Sequence, residues 1–498
     1  MNKRKMRIVS QVSQISSAGM RLRMKHLLYS KILEEWKESE YKNKNISRSL
    51  KEEIEKSDLK LIVLDDDPTG IQTVHGVYVY TDWSYESIYK GFTDANRLFF
   101  ILTNSRGLTE QQTTLLHREI TSTIMKVSKE TKKRFLIISR GDSTLRGHYP
   151  LETSLIKEEL ERLSDIKVDG EIIIPFFKAG GRYTIDNIHY VKYGDELIPA
   201  AETEFAKDKT FGYTKSDLCE YIEEKTQGAT RAQEVIRIGL SEIRNGEVEL
   251  IEERLCKAAD FRKIIVNAIE PEDLEIFCVA LYRALQKGKF FLFRTAADFV
   301  RVVGGISIKP FLTKADMLNR ESSKGGIVVI GSHTAKTTAQ LEALKDMKQL
   351  EFIEFDSDLV LEDRLNEEVL RVTKLSSSYI EAGKTVVVYT KRKLLSLKHD
   401  TKEMALLRSV KISEAVMRLV GELTTVPKFV IAKGGITSSD IGVKALRVQR
   451  AYVLGQVLSG IPVWRTDNTS RFPLIPYIIF PGNVGEADSL KRVLEEFV

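Results

Sequence analysis

Leu-Ile-Val-Leu-Asp-Asp-Asp-Pro-Thr-Gly, residues 61–70, runs four branched apolar side chains straight into three carboxylates and a turn. An unbroken apolar run of this length reads as a strand buried on both faces. In open α/β sheets, ligands bind outside the carboxyl ends of such strands. Three adjacent acids repel one another, so a cation, basic side chains or backbone N–H groups must offset them. A helix N-cap with Pro at the first helical position accounts for one acid but not three.

The pattern repeats along the chain. VYVY, RLFFILT, RFLIIS, EIIIPFF, KIIVNAI, KFFLF, GIVVIG, KTVVVYT, KFVIAKGG and YIIFPG are further apolar runs, set apart by helix-length segments. This predicts an α/β protein of mostly parallel sheet flanked by helices, with strict alternation too rare for an all-β fold. At 498 residues the chain is too long for one core, and two domains, each with its own sheet, are expected. Residues 1–57 read as a helical, basic extension, 58–312 as the first domain, 313–325 as a polar linker and 326–498 as the second domain.

Composition excludes several classes. Apolar residues make up 42% and charged residues 29%, as in a soluble enzyme. The 76 bases are nearly matched by 70 acids, so a net charge of +6 does not suggest a nucleic-acid partner. No apolar run approaches the ~18 residues of a membrane span, and no signal-peptide core opens the chain. Three scattered cysteines, Cys219, Cys256 and Cys278, suit inert thiols in a reducing cytoplasm.

Four strand ends in the first half carry polar groups. Asp65, Asp66 and Asp67 precede Thr69 and Gly70 at the first, and Asn104, Ser105 and Arg106 stand at the second. The third carries Arg140, Gly141, Asp142, Ser143, Thr144, Arg146, Gly147 and His148; the fourth carries Lys178, Gly180, Gly181 and Arg182. Arginine forks suit two-point contact with a carboxylate, and glycines let backbone approach a ligand. The four together suggest a polyhydroxy acid held by cations, with an Asp near one hydroxyl. Residues 186–211 show little periodicity and are expected to form a lid, with His189 structural.

The second half differs. Gly331-Ser332-His333-Thr334 follows an apolar run and opens an amphipathic helix, without the GxxxxGK[ST] of a Walker A loop. Gly434-Gly435-Ile436-Thr437-Ser438 and Gly482-Asn483-Val484-Gly485 repeat the arrangement after later runs. Free N–H groups and the helix dipole make such turns anion sites, here for nucleotide phosphates. Lys391-Arg392-Lys393 reads as solvated surface.

These motifs together resemble the four-carbon acid sugar kinase family. The family's ADDxTG, KxDSTxRG and GGxTS align with Asp65–Gly70, Arg140–Gly147 and Gly434–Ser438, and its SGNFG with Pro481–Gly485. Asp65 replaces an Ala, Arg140 a Lys and Ile436 a Glu, and the longer strings DPTGIQTVHGV and GGRYTIDNIHYV with the N-terminal extension suggest a divergent branch. The resemblance implies a sugar-acid-binding domain followed by a nucleotide-binding domain, and an ATP- and Mg²⁺-dependent kinase acting on the terminal hydroxyl of a tetronate, keto-tetronate or related aldonate. Asp66 or Asp67 would accept the hydroxyl proton, Arg106, Arg140, Arg146 and Arg182 would hold the carboxylate, and Ser332, Gly434–Thr437, Gly482 and Asn483 would meet the phosphates. A homodimer is left open, and the metal ligands are not assigned. Two rivals remain: a haloacid-dehalogenase-like phosphatase using Asp65 of Asp65-x-Asp67-x-Thr69, with Phe355–Asp358 as a weak second acid pair, and a non-catalytic sensor of sugar acid and nucleotide.

Overall fold

The computed structural model describes residues 26–37, 45–318 and 322–498 except 394, 396, 398, 399 and 483; residues 402, 403, 406 and 436 are described for their backbone alone. The expectations for residues 1–25, 38–44 and 319–321 therefore lie outside the described residues.

Strand β1 is Leu27–Leu28, β2 Lys60–Asp65, β3 Tyr78–Tyr80, β4 Leu98–Leu102, β5 Phe135–Arg140 and β6 Gly170–Ile174. β7 is Arg182–Ile185, β8 Ile188–Tyr193, β9 Glu196–Pro199, β10 Ile236–Ile238, β11 Arg262–Val266 and β12 Phe291–Thr295. The second half supplies β13 Ile327–Ile330, β14 Leu350–Phe355, β15 Thr385–Thr390, β16 Val430–Lys433, β17 Arg450–Leu458, β18 Ile461–Thr466 and β19 Pro476–Phe480. The unbroken apolar runs form because helices cover both faces of the sheet. In β2, Leu61 and Val63 enter one apolar cluster while Ile62 and Leu64 enter another. In β13, Ile327 and Val329 likewise part from Val328 and Ile330.

The strands run β10-β11-β6-β12-β5-β2-β4-β3-β17-β18-β19-β16-β13-β15-β14 in a single 15-stranded sheet. The mostly parallel stretch expected in each half is present, and the two stretches are continuous with one another. β3, parallel to β4, also pairs antiparallel with β17, joining Tyr78 to Tyr452 and Tyr80 to Arg450. The Tyr78 and Tyr452 rings meet edge to face at 5.2 Å across this seam.

The lid expected over residues 186–211 is also corrected. β7, β8 and β9 form an antiparallel sheet completed by β1, so much of that stretch is built into hairpins. Asp186 and Asn187 turn the first hairpin at φ 47° and 70°, as a type I′ turn requires. Gly194 and Asp195 turn the second. The described part of the extension is mostly helical but also supplies strand β1: Ile46, Leu50 and Ile54 of helix Ile46–Lys56 are buried, and that helix packs on helix Pro271–Gln286. Met317, in the expected linker, and Leu312, just before it, join the apolar cluster of the second half. Among the described residues, no helix is long and apolar enough to cross a membrane.

Candidate active site

β2, β4 and β5 lie side by side, so the loops after Asp65, Leu102 and Arg140 converge at one sheet edge. Asp67 accepts hydrogen bonds from Thr69 N at 2.8 Å and Thr69 Oγ1 at 2.5 Å, and pairs with Arg106. Arg106 reaches Asp142 at 3.4 Å, and Asp142 accepts from Arg146 Nε at 2.7 Å. The result is an alternating chain of carboxylates and guanidiniums running from β2 across to the loop after β5. Burial would raise the pKa of Asp67, but Arg106 and the Thr69 hydrogen bonds outweigh it and hold the carboxyl below its ordinary value. Asp142 is likewise driven well below the carboxylate range by Arg106 and Arg146 against its burial.

A layer behind this chain supports it. Asp65 is 1% exposed and pairs with Arg140 Nη1 at 3.4 Å. Burial raises the Asp65 pKa well above normal. A Cβ on Gly70 would collide with the Asp65 carboxylate, so only glycine lets the turn fold back over that acid. Asp66 is also buried; both of its carboxylate oxygens lack a hydrogen-bond partner, and burial raises its pKa against Arg106, Arg294 and Arg140. Arg294, at the end of β12, donates to Glu152 at 2.9 Å and to the Arg146 carbonyl at 2.8 Å. It fills the space that a side chain at Gly141 would need. Ser105 is fully buried and donates to Glu152 at 2.5 Å. His189 is structural, as expected: burial lowers its pKa to about 4, and it bonds the Ser143 carbonyl at 2.7 Å.

In the second half, the loop after β13 lies against those after β16 and β19. Thr337 Oγ1 lies 3.3 Å from both Ser332 Oγ and the Gly482 carbonyl, and Thr334 caps helix Ala335–Leu344. Gly434, at φ 132°, is bonded through its N–H to the Phe480 carbonyl at 2.9 Å. A Cβ on Gly435 would meet nothing within 4 Å, so open space faces that position. Lys433 is fully buried beneath the turn, with Nζ 2.6 Å from the Pro481 carbonyl and over the Phe480 ring. Burial, with Lys336 nearby, lowers its pKa to about 7. Arg392 is not the solvated cation expected; it donates to the Ser332 carbonyl at 2.6 Å. Lys391 pairs with Asp356 and Asp358 of the Phe355–Asp358 segment.

The two halves share a cavity of about 740 Å³. Asp67, Thr69, Arg106, Arg140, Asp142, Ser143, Arg146 and Arg182 line it from the first half. Ser332, Thr334, Gly434, Gly435, Thr437 and Gly482 line it from the second. Of the other expected site residues, Asp66, Gly70, Ser105, Gly181 and Ser438 stand behind this lining; Ser438 Oγ bonds back to the Gly434 carbonyl at 2.6 Å. The backbone of Ile436 lies in the short helix Gly435–Asp440, and Asn483 lies outside the described residues. Glu152, Arg294, Lys433 and Arg392 were missed. For Arg294 a signal existed, a cation ending the apolar run KFFLF.

Comparison with known proteins finds two matching domain families. Residues 61–303 match a sugar-binding N-terminal domain, and residues 327–490 match a nucleotide-binding C-terminal domain. No curated protein sequence matches the chain. Among solved structures, a Salmonella typhimurium LT2 protein provisionally described as a tRNA synthase superposes with a TM-score of 0.64 at 15% identity, over 88% of this chain and 100% of that one. A Haemophilus influenzae protein, from a family catalogued as a domain of unknown function, superposes at 0.59 and 16% identity, over 88% and 100%. At such identities the likeness is one of fold. The two matched domains, in this order over most of its length, place the chain in the family with the four-carbon acid sugar kinase architecture.

Proposed function

We propose that the chain is an ATP-dependent kinase that phosphorylates the terminal hydroxyl of a four-carbon sugar acid, a tetronate or keto-tetronate, or of a related aldonate. The observation that carries this reading is the shared cavity: carboxylates and guanidiniums of the sugar-binding half face glycine turns of the nucleotide-binding half across one space. Phosphoryl transfer asks for little beyond positioning and charge stabilisation. Asp67, held ionised and lining the cavity, accepts the proton of the primary hydroxyl as the hydroxyl oxygen attacks the γ-phosphorus, and the bond from that phosphorus to the β–γ bridging oxygen breaks to release ADP. Asp66, buried behind it, sits among Arg106, Arg294 and Arg140.

Features of the second half support ATP as the nucleotide. Gly435 faces open space that would take phosphate oxygens, and the helix start at Thr334 offers N–H groups. Among the described residues, no group of three or more His, Cys, Asp or Glu side chains is arranged to cage a metal. Mg²⁺ needs no such cage, because it keeps waters and rides on nucleotide phosphates with one or two carboxylates. In that role it would supply positive charge to offset that of the transferred group. The cytoplasm is the proposed setting, in keeping with three free cysteines.

Asp65 as a phosphatase nucleophile is disfavoured, since it is buried, paired with Arg140 and absent from the cavity lining. A sensor would bind both ligands and leave them unchanged. Product analysis separates these readings. NMR of a tetronate incubated with Mg·ATP and the protein is expected to show a phosphomonoester on the primary carbon. Unchanged acid, with both ligands bound, would leave the sensor standing instead.

A further inference from the structure

Arg182 differs from the other cavity arginines. Arg106 is matched by Asp67 and Asp142, Arg140 by Asp65 and Asp66, and Arg146 by Asp142 and Asp208. Arg182 makes no ion pair or hydrogen bond through its guanidinium among the described residues, and its Nε is buried without a partner. Its guanidinium lies 5.4 Å from the centre of the Phe205 ring, and that of Arg146 lies 5.1 Å from the same ring. A stacked ring steadies a cation but does not take up its N–H groups. A cation taken from water without a counter-charge is costly, so such a group persists where an anionic ligand completes it. Burial indeed pulls the Arg182 pKa below its ordinary value, against Asp142.

Arg182 opens β7 and so belongs to the small antiparallel sheet rather than the main one. Gly181, at φ 74°, immediately precedes it, and the Gly181 carbonyl accepts from Lys192 N at 2.8 Å on β8. The hairpin therefore holds the guanidinium at the cavity wall. We infer that Arg182, stacked on Phe205, is the receptor for the substrate's carboxylate and makes the site select acids over neutral polyols. The inference rests on the kinase reading for the identity of the acceptor, but the anion site is testable without turnover. A guanidinium fork takes both carboxylate oxygens, which a hydroxymethyl group cannot replace.

Calorimetric titration of the full chain with erythronate and threonate, against erythritol and threitol, tests it. Wild-type protein is expected to prefer the acids by on the order of 100-fold, the usual cost of leaving a buried charge unpaired. Arg182→Gln is expected to lose that preference while retaining ATP affinity and thermal stability; Arg182→Lys, which keeps charge without the fork, is expected to fall between. An Arg182→Gln protein that still prefers acids as strongly as wild type overturns the inference, as does wild type that binds no acid. ADP release is followed in parallel. Arg182-dependent acid binding without turnover sustains the receptor and refutes the kinase.

Discussion

Asp67→Asn changes one charge at a position whose neighbours are known. The amide would keep the shape of the carboxylate and still accept from Thr69 N, 2.8 Å away in the native turn. Arg106 would lose one of its two carboxylates but retain Asp142 at 3.4 Å. The loss of stability is therefore that of one charged hydrogen bond with its donor still partnered, about 1–3 kcal/mol. The loss of activity should be larger. An amide cannot take the hydroxyl proton, and a positioned general base contributes roughly 10²–10⁴-fold. At about 1.36 kcal/mol per decade, that is a barrier raised by about 3–5 kcal/mol. Steady-state ADP release with saturating tetronate measures kcat, while calorimetry and thermal unfolding measure ATP affinity and fold. The expected result is a collapse of kcat with ATP affinity unchanged. A kcat within about threefold of wild type, in a folded protein, would remove Asp67 from the base role.

Other substitutions probe the layers behind the lining. Gly70→Ala would drive a methyl into the buried Asp65 carboxylate, and overpacking of this kind costs about 1–3 kcal/mol; an unchanged Tm would refute the packing account. Ser105→Ala deletes a 2.5 Å hydrogen bond to Glu152, so Tm should fall while kcat changes less than about tenfold; normal stability with abolished activity would place Ser105 in the chemistry instead. Lys433 has a folded pKa of about 7, depressed by burial, against about 10.4 for unfolded lysine. Below pH 7 both states are protonated and the cost of burying the ammonium is at its fullest. As pH rises from about 7 toward 10, the folded state sheds its proton first and stability rises. The Tm difference between wild type and Lys433→Met should therefore shift in favour of wild type over that window, and a flat difference would contradict the assignment. The same variant, lacking the bond to the Pro481 carbonyl, should bind ATP about tenfold more weakly.

The main sheet was legible because its strands are buried on both faces. Leu61 to Leu64 alternate between two apolar clusters, so the run carries no polar interruption until Asp65, and the strand end announces itself. The convergence of Asp67, Arg106 and Asp142 followed from the same logic, since adjacent parallel strands bring their ends together. The joining of the halves was not legible. β3 is three residues long, and its partner Tyr452 lies far away in sequence, so nothing local in Tyr78–Tyr80 signals the pairing. The hairpin of residues 182–193 carried a legible signal, since Asp186-Asn187 is a turn pair between two short β-rich segments, but residues 186–211 were read as a lid instead. Glu152 sits in an ordinary amphipathic helix, and only the fold shows that it takes hydrogen bonds from Arg294 and Ser105. Lys433 ends an apolar strand like any surface lysine would; its burial depends on the loop after β19 closing over it.

The central claim is acid-dependent phosphoryl transfer across the shared cavity. A coupled ADP-release assay with Mg·ATP against a panel of tetronates, keto-tetronates and longer aldonates tests it most directly. The account predicts ADP release that depends on a four-carbon acid, saturates with it and is absent with neutral polyols. ADP release that no acid in the panel stimulates, from protein shown by calorimetry to bind ATP, would contradict it.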